Sequence, residues 1–218
     1  MHIAVPSYSG DITAFTALSL IMATAALSEV GIKWSVAIQP GVPYLDHARN
    51  MLVTKFLENT EATDLLFIDA DVAFAPQSAV MIAQATRPFI AGIYPKKMDE
   101  PKWPVAFDAD RLWSDEDGNL EASMVPTGFL RLNRSVFDAM PSEEYCDDNG
   151  DRWIKHFRCG AWGGKYNGED PDFCARWRGI GGKIHIIPNL TFSHTGKKSW
   201  EGNWAKWIMD QQKEVTRG

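Results

Sequence analysis

The chain opens on a short apolar run, His2 to Pro6, too short for a helix and of strand length. After the turn Ser7-Tyr8-Ser9-Gly10 comes Asp11, a residue type that accepts from free N–H groups at a helix start. The apolar stretch behind it predicts a helix to about Val30, stopped by Gly31. Lys33 to Gln39 predicts a second strand, broken by Pro40-Gly41, and Tyr44 to Asn59 sets Leu45, Ala48, Leu52 and Phe56 at helical spacing. Asp64 to Ile68 predicts a third strand whose unbroken apolar run suits a parallel strand covered on both faces. Asp69 and Asp71 then stand at its carboxyl end. A helix after Pro76 and a strand Phe89 to Tyr94 continue the alternation. The expected fold class is therefore α/β: an open, mostly parallel twisted sheet with helices on both faces.

From Pro95 onward the pattern changes to a Pro-, Trp- and Asp-rich mixture, with a hairpin expected around Asp117-Gly118-Asn119 and a strand near Gly128 to Leu132. No repeat or low-complexity linker separates the halves. One domain over residues 1–218 is expected, with 1–100 as the alternating half and 101–218 completing the sheet.

Composition narrows the field. At 45% hydrophobic and 23% charged residues with a net charge of −6, the chain is not built to coat nucleic acid by bulk attraction. Cys146, Cys159 and Cys174 form no C-x-x-C pair, so neither a disulfide framework nor a zinc ribbon is expected, and a reducing, cytoplasmic setting fits. No basic segment precedes an apolar one at the start, as a secretory signal requires. The apolar stretch Ala14 to Leu27 is interrupted by hydroxyls and is shorter than the ~20 residues that span a bilayer, so no membrane insertion is expected. The oligomeric state is left open. The first turn, Ser7 to Gly10, lacks G-x-G-x-x-G, and no Walker lysine loop occurs.

In an open α/β sheet, ligands bind beyond the carboxyl ends of the strands. Two carboxylates one residue apart at such an end can face one cation, and hard oxygen donors suit Mg2+ or Mn2+ carrying a diphosphate. The plain alternative is that Asp69 and Asp71 cap the next turn.

Several segments in order resemble the GT-A class of glycosyltransferases, particularly small family-2-like enzymes of bacterial, phage or large-virus type. They are the strand ending at Val5-Pro6, Ala48-Arg49-Asn50, Asp69-Ala70-Asp71, Pro126-Thr127-Gly128-Phe129, Gly168-Glu169-Asp170 with Phe173 and Arg176, and His194-Thr195-Gly196. The segment from His194 to Trp200 also resembles the H-x-G-x-x-K-P-W ending of some retaining enzymes, with Ser199 in place of the Pro and a different spacing.

The resemblance implies a metal site of Asp69, Asp71 and His194, and a nucleotide-sugar donor such as UDP-glucose. It places Pro6, Ser7 and Tyr8 against base and ribose, Arg49 near the donor, and Lys197 and Lys198 on the diphosphate. Glu169 and Asp170 stand where inverting members carry the acceptor-side base, Asp170 being the better candidate, although a carboxylate also favours a helix start. Arg49 reads equally as an ion-pair residue and His194 as an ordinary histidine.

The acceptor is open among a glycan, a protein side chain, a lipid-linked sugar and a hydroxymethylated base of viral DNA. Trp103, Trp113 and Trp162 are candidate cleft walls, and Lys96, Lys97, Lys183, Lys197 and Lys198 a candidate phosphate track. Two other readings compete. Phe67 to Val72 is similar to the first motif of haloacid-dehalogenase phosphatases, with Asp69 as nucleophile. It lies on the third strand instead of the first, and no Gly-Asp-Gly-x-x-x-Asp follows. The other is a binding module for carbohydrate or nucleotide without chemistry.

Overall fold

The computed structural model describes residues 1–108 and 112–215. The first half contains β1 (His2–Ser7), α1 (Ala14–Glu29), β2 (Ser35–Pro40), α2 (Leu45–Glu58), β3 (Asp64–Ile68), β4 (Val72–Phe74), α3 (Pro76–Gln84) and β5 (Phe89–Gly92). The second begins with β6 (Leu120–Ala122), β7 (Phe129–Asn133) and α4 (Arg134–Ala139), and continues through four short strands, β8 (Glu143–Cys146), β9 (Arg152–Lys155), β10 (Gly160–Trp162) and β11 (Lys165–Asn167). It ends with α5 (Glu169–Gly179), β12 (Ile184–Ile187), β13 (Thr191–Thr195), β14 (Ser199–Asn203) and α6 (Trp204–Val215).

Seven strands form the central sheet in the order β2-β1-β3-β7-β5-β12-β6. Five run one way, while β7 and β6 run against their neighbours. This is an open α/β sheet with helices on both faces, the class expected from the sequence. The strict alternation of a doubly wound sheet is interrupted, however, because β7 enters antiparallel between β3 and β5. Hydrophobic periodicity reports that a strand is buried, not which neighbours it takes.

Side chains alternate across the strands, so the sheet has two separate apolar faces. Ile3, Val5, Leu66 and Ile68 face one way and pack with Leu20, Ala23 and Leu27 of α1 and Ala79 and Ile82 of α3. Ala4, Leu65 and Phe67 face the other, against Leu52, Val53 and Phe56 of α2 and Phe173 and Trp177 of α5. Each fully buried Leu or Phe contributes on the order of 1.5–3 kcal/mol. Helix α1, with no acidic residue in its first turn and no basic one in its last, is therefore held by packing and not by charges on its dipole.

Two boundaries differ from expectation in ways that matter for the site. The cap of α1 is Thr13, whose hydroxyl accepts from Thr16 N at 3.3 Å, not Asp11. Thr13 N also donates to the Ala70 carbonyl at 2.9 Å, which locks the start of α1 to the Asp69–Asp71 loop. Strand β5 stops at Gly92, leaving Ile93 and Tyr94 beyond the sheet. The expected hairpin near Asp117 is present as a turn, with Gly118 at φ +79° and Ser114 bridging Leu120.

Candidate active site

Strand β2 lies on one side of β1 and β3 on the other, with α1 and α2 on opposite faces of the sheet. The chain therefore reverses its winding between β1 and β3, and the loops leaving these strands diverge. A cleft of about 620 Å³ opens there, within the ~300–1,000 Å³ range of small-ligand sites. Pro6 to Ser9 form one wall, Asp69 to Asp71 the floor, and Lys97 and His194 to Gly196 the other wall. The Ser7 hydroxyl donates to the Asp11 carbonyl at 2.7 Å and so shapes the β1–α1 loop. Tyr8 projects from that loop, 74% exposed.

His194 reaches Asp71 because β13 pairs antiparallel with β4, opposing His194 to Val72, while Thr195 N donates to the Asp71 carbonyl at 2.8 Å. The His194 Nε2 atom is then 3.3 Å from Asp71 Oδ1. On the other side of the ring, Nδ1 is 2.8 Å from the Pro95 carbonyl oxygen. A carbonyl only accepts, so Nδ1 carries a proton and Nε2 is the atom presented to Asp71. The ring is braced edge-on by Tyr94, 4.9 Å between centroids. Lys97 closes the arrangement by donating to Asp71 Oδ2. Burial alone would push the Asp71 carboxyl up, but the hydrogen bonds from His194 and Lys97 outweigh it and hold the group below its usual range.

Asp69 is held from behind. Its Oδ1 takes a hydrogen bond from Arg49 Nη2 at 3.0 Å, its Oδ2 one from the Tyr94 hydroxyl at 3.1 Å, and its backbone N–H donates to the Gly128 carbonyl at 3.0 Å. Arg49 is only 1% exposed and lies over the Phe67 ring at 5.2 Å. Its Nε is 3.7 Å from Glu169. Burial would lower the guanidinium pKa, yet Asp69, Asp170 and Glu169 together raise it above its ordinary value, so Arg49 stays charged. Asp170, one residue on, accepts from the Thr127 hydroxyl at 2.6 Å. Desolvation pushes the Asp170 carboxyl up to about 7; Glu169 and Asp69 reinforce this, while Arg49 and Thr127 oppose it.

Gly128 is what allows these groups to meet. A methyl added there would lie 2.6 Å from Asp69 Cγ and closer still to the Tyr94 hydroxyl, a distance that forces one of them to move. Gly128→Ala is expected to displace Asp69 and destabilise the fold by about 1–3 kcal/mol, the usual cost of overpacking. Chemical denaturation checks this, and an unchanged midpoint would show that the site yields freely.

The cleft brings together Pro6, Ser7, Tyr8, Asp69, Asp71 and His194. Arg49 lies buried beneath it instead of lining it, because its charge is taken up by the carboxylates below. Lys197 and Lys198 are exposed outside it, Lys198 pairing with Asp99. Glu169 and Asp170 sit at the start of α5, behind Asp69, outside the cleft lining. Lys97 and Tyr94 are the site residues not assigned there from the sequence. Tyr94 closes the strand expected from the sequence, and Lys97 follows it as a member of the candidate phosphate track. Among the aromatic candidates, Trp103 packs on the core and against Trp207, Trp113 is 70% exposed, and the Trp162 side chain lies outside the described residues.

Among the described residues no group of three or more His, Cys, Asp or Glu side chains is positioned to hold a metal ion. The pair Asp71 and His194 nevertheless fits a cation that takes its remaining ligands from a diphosphate, as Mg2+ commonly does. Asp69 fits less well as a ligand, since its two oxygens are held by the buried Arg49 and Tyr94, whereas the partly exposed Lys97 is free to leave Asp71.

The sequence matches no protein-family model and no curated protein. Among solved structures, that described as A197 from STIV superposes with a TM-score of 0.55 at 15% identity, covering 89% of this chain and 85% of that one. A glycosyltransferase involved in the glycosylation of the major capsid of PBCV-1 aligns over 63% of this chain and 62% of its own, with 9% identity and a TM-score of 0.37, too low to bear on function. What the likeness to the STIV protein establishes is the fold alone: this chain has a mixed α/β architecture already known in a solved structure.

Proposed function

We propose that the chain is a glycosyltransferase that takes a sugar from a nucleotide-sugar donor, a UDP-sugar being the first to test. The observation that carries this reading is the Asp71–His194 pair, oriented through the Pro95 carbonyl in a cleft at the strand switch point. A divalent cation bound by Asp71 and His194, manganese or magnesium, would take up charge on the departing diphosphate.

The protein's own groups supply the rest. Tyr8 and the Pro6–Ser7 backbone lie where a base and ribose would rest, and Lys97 can move its ammonium from Asp71 onto phosphate oxygens. Asp170 is the candidate base for the acceptor hydroxyl. As a phosphatase nucleophile Asp69 is poorly disposed, with both oxygens already accepting hydrogen bonds. Transfer to a viral DNA base is weakly supported, since the chain carries a net charge of −6. A glycan or protein hydroxyl fits the acidic chain better.

Incubation with a panel of nucleotide sugars and manganese, reading release of nucleoside diphosphate, tests the proposal. Hydrolysis of phosphomonoesters, or binding without turnover, would replace it with the phosphatase or the binding module. Because the base must be deprotonated, turnover should fall about tenfold per pH unit below about 7 and level off above it. Thr127→Val removes a hydrogen bond that favours the charged carboxylate, so the fall should begin at higher pH. Asp170→Asn should abolish transfer while donor binding persists. A pH profile unmoved by either change would remove Asp170 from the chemistry.

A further inference from the structure

Helix α1 carries no charged side chain from Ala14 to Ser28. Its outer face is nevertheless open: Phe15 is 62%, Leu18 54%, Ile21 68% and Met22 46% exposed. A helix apolar on all sides is normally covered on all sides. Part of this face forms one wall of a groove of about 530 Å³, whose other wall is the three-stranded sheet β14-β13-β4, through Ala73, Phe74 and Phe192. The groove is built, not incidental: Phe74 N donates to the Ser19 hydroxyl at 3.0 Å, tying α1 to β4 across its floor.

The groove continues the cleft. On α1, Ile12 and Thr13 line the cleft, and Phe15 and Leu18 line the groove. On β13, Thr191, Ser193 and Thr195 share one face by the alternation of strands, the first two in the groove and the third in the cleft. Asp71 stands at the junction, its carbonyl bonded by Thr195 N. Glu201 is the one charged residue among the described residues that line the groove, so the lining holds no cation to attract an anion.

We propose that this groove binds the hydrocarbon chain of an amphiphilic acceptor whose polar end lies in the cleft beside Asp71. The groove is read from its lining and its continuity with the cleft; naming the ligand an acceptor rests on the transferase reading. Apolar walls without a cation suit an uncharged chain, and the cleft adjoins the groove at its Ser193 end, where Thr195 follows on β13. The hydroxyls of Thr191 and Ser193 mark the rim, where the chain would meet water.

The probes are hexyl, octyl and decyl maltoside below their micellar concentrations, titrated calorimetrically with UDP and manganese present or absent. Affinity should rise roughly twofold to fourfold for each added methylene. Leu18→Asp, which puts a charge in the groove, and Thr191→Trp, which fills it, should each abolish that dependence while leaving the unfolding temperature and nucleoside diphosphate release to water unchanged. Affinity independent of chain length, or unchanged in both variants, would overturn the proposal. So would sedimentation showing a dimer that Leu18→Asp dissociates without any alkyl binding, since a second copy would then cover this face. Chain-length-dependent binding with no turnover of any nucleotide sugar would overturn the acceptor assignment through failure of the transferase reading, with the groove itself intact.

Discussion

Arg49→Met is expected to lower the unfolding temperature more than any other substitution in the site. The side chain is 1% exposed and lies between Asp69 at 3.0 Å and Glu169 at 3.7 Å, with Asp170 also in its field. A methionine fills much the same volume, so packing against Phe67 is largely kept. What is lost is the one buried cation that offsets three carboxylates. Removing one partner of a buried ion pair costs about 3–5 kcal/mol, which for a chain of this size corresponds to roughly 6–20 °C in Tm. Arg49→Lys should recover only part of this, because a point charge cannot face Asp69 and Glu169 with separate donors. Thermal unfolding of both variants measures the effect. A methionine variant as stable as the parent would mean that the carboxylates find solvent or protons without Arg49, and the cluster would lose its structural meaning.

The largest effect on activity is expected from Asp71→Asn. Asparagine preserves the shape and leaves the Thr195 N–H bond to the main chain in place, but it removes the charge that faces His194 and Lys97. If this carboxylate holds the cation that neutralises the leaving diphosphate, the loss is several kcal/mol of transition-state stabilisation, or about 10²–10³-fold and more in rate. The manganese concentration needed for half-maximal turnover should rise in parallel. His194→Ala should move the same quantity in the same direction by a smaller amount, whereas exposed Lys197 and Lys198, outside the cleft, should not move it when changed to Ala. An Asp71→Asn variant with unchanged manganese dependence would sink the assignment of this pair.

The two experiments separate roles that the sequence merged. Asp69-Ala70-Asp71 reads as one acidic motif with two equivalent members. In the fold they part company: Asp71 turns toward His194 and Lys97, and Asp69 turns back toward Arg49 and Tyr94. The segment is a turn between β3 and β4, closed by Val72 N donating to the Asp69 carbonyl at 3.1 Å, and the division of labour is fixed by what approaches from elsewhere. Arg49 arrives from α2, Tyr94 from the end of β5, and His194 by the pairing of β13 with β4. These partners are 20, 25 and 123 residues away along the chain from the carboxylates they meet.

Much of the architecture could be read from local pattern. The third strand, Asp64 to Ile68, has the bounds expected of it, and the helix after Pro76 begins there, where Pro is favoured at the first helical position. Both signals are local, one a run of apolar residues and the other a single ring that fixes φ. The cap of α1 was misplaced by two residues because Asp11 and Thr13 are both good cap residues. The choice fell to the hydrogen bond from Thr13 N to Ala70, a contact no local rule contains.

Alone, then, the sequence determined that this is an α/β chain with two carboxylates at the end of a buried strand, because strand length, helical spacing and turn residues act over a few neighbours. Only the tertiary structure decided that Arg49 supports the cleft from beneath, that Tyr94 and Lys97 belong to the site, and that α1 leaves an apolar groove beside it. Those facts depend on strand order and register, above all on the antiparallel entry of β7 and the pairing of β13 with β4. Register joins residues far apart in the chain through backbone hydrogen bonds that every residue type but proline can make, so side-chain pattern carries little record of it.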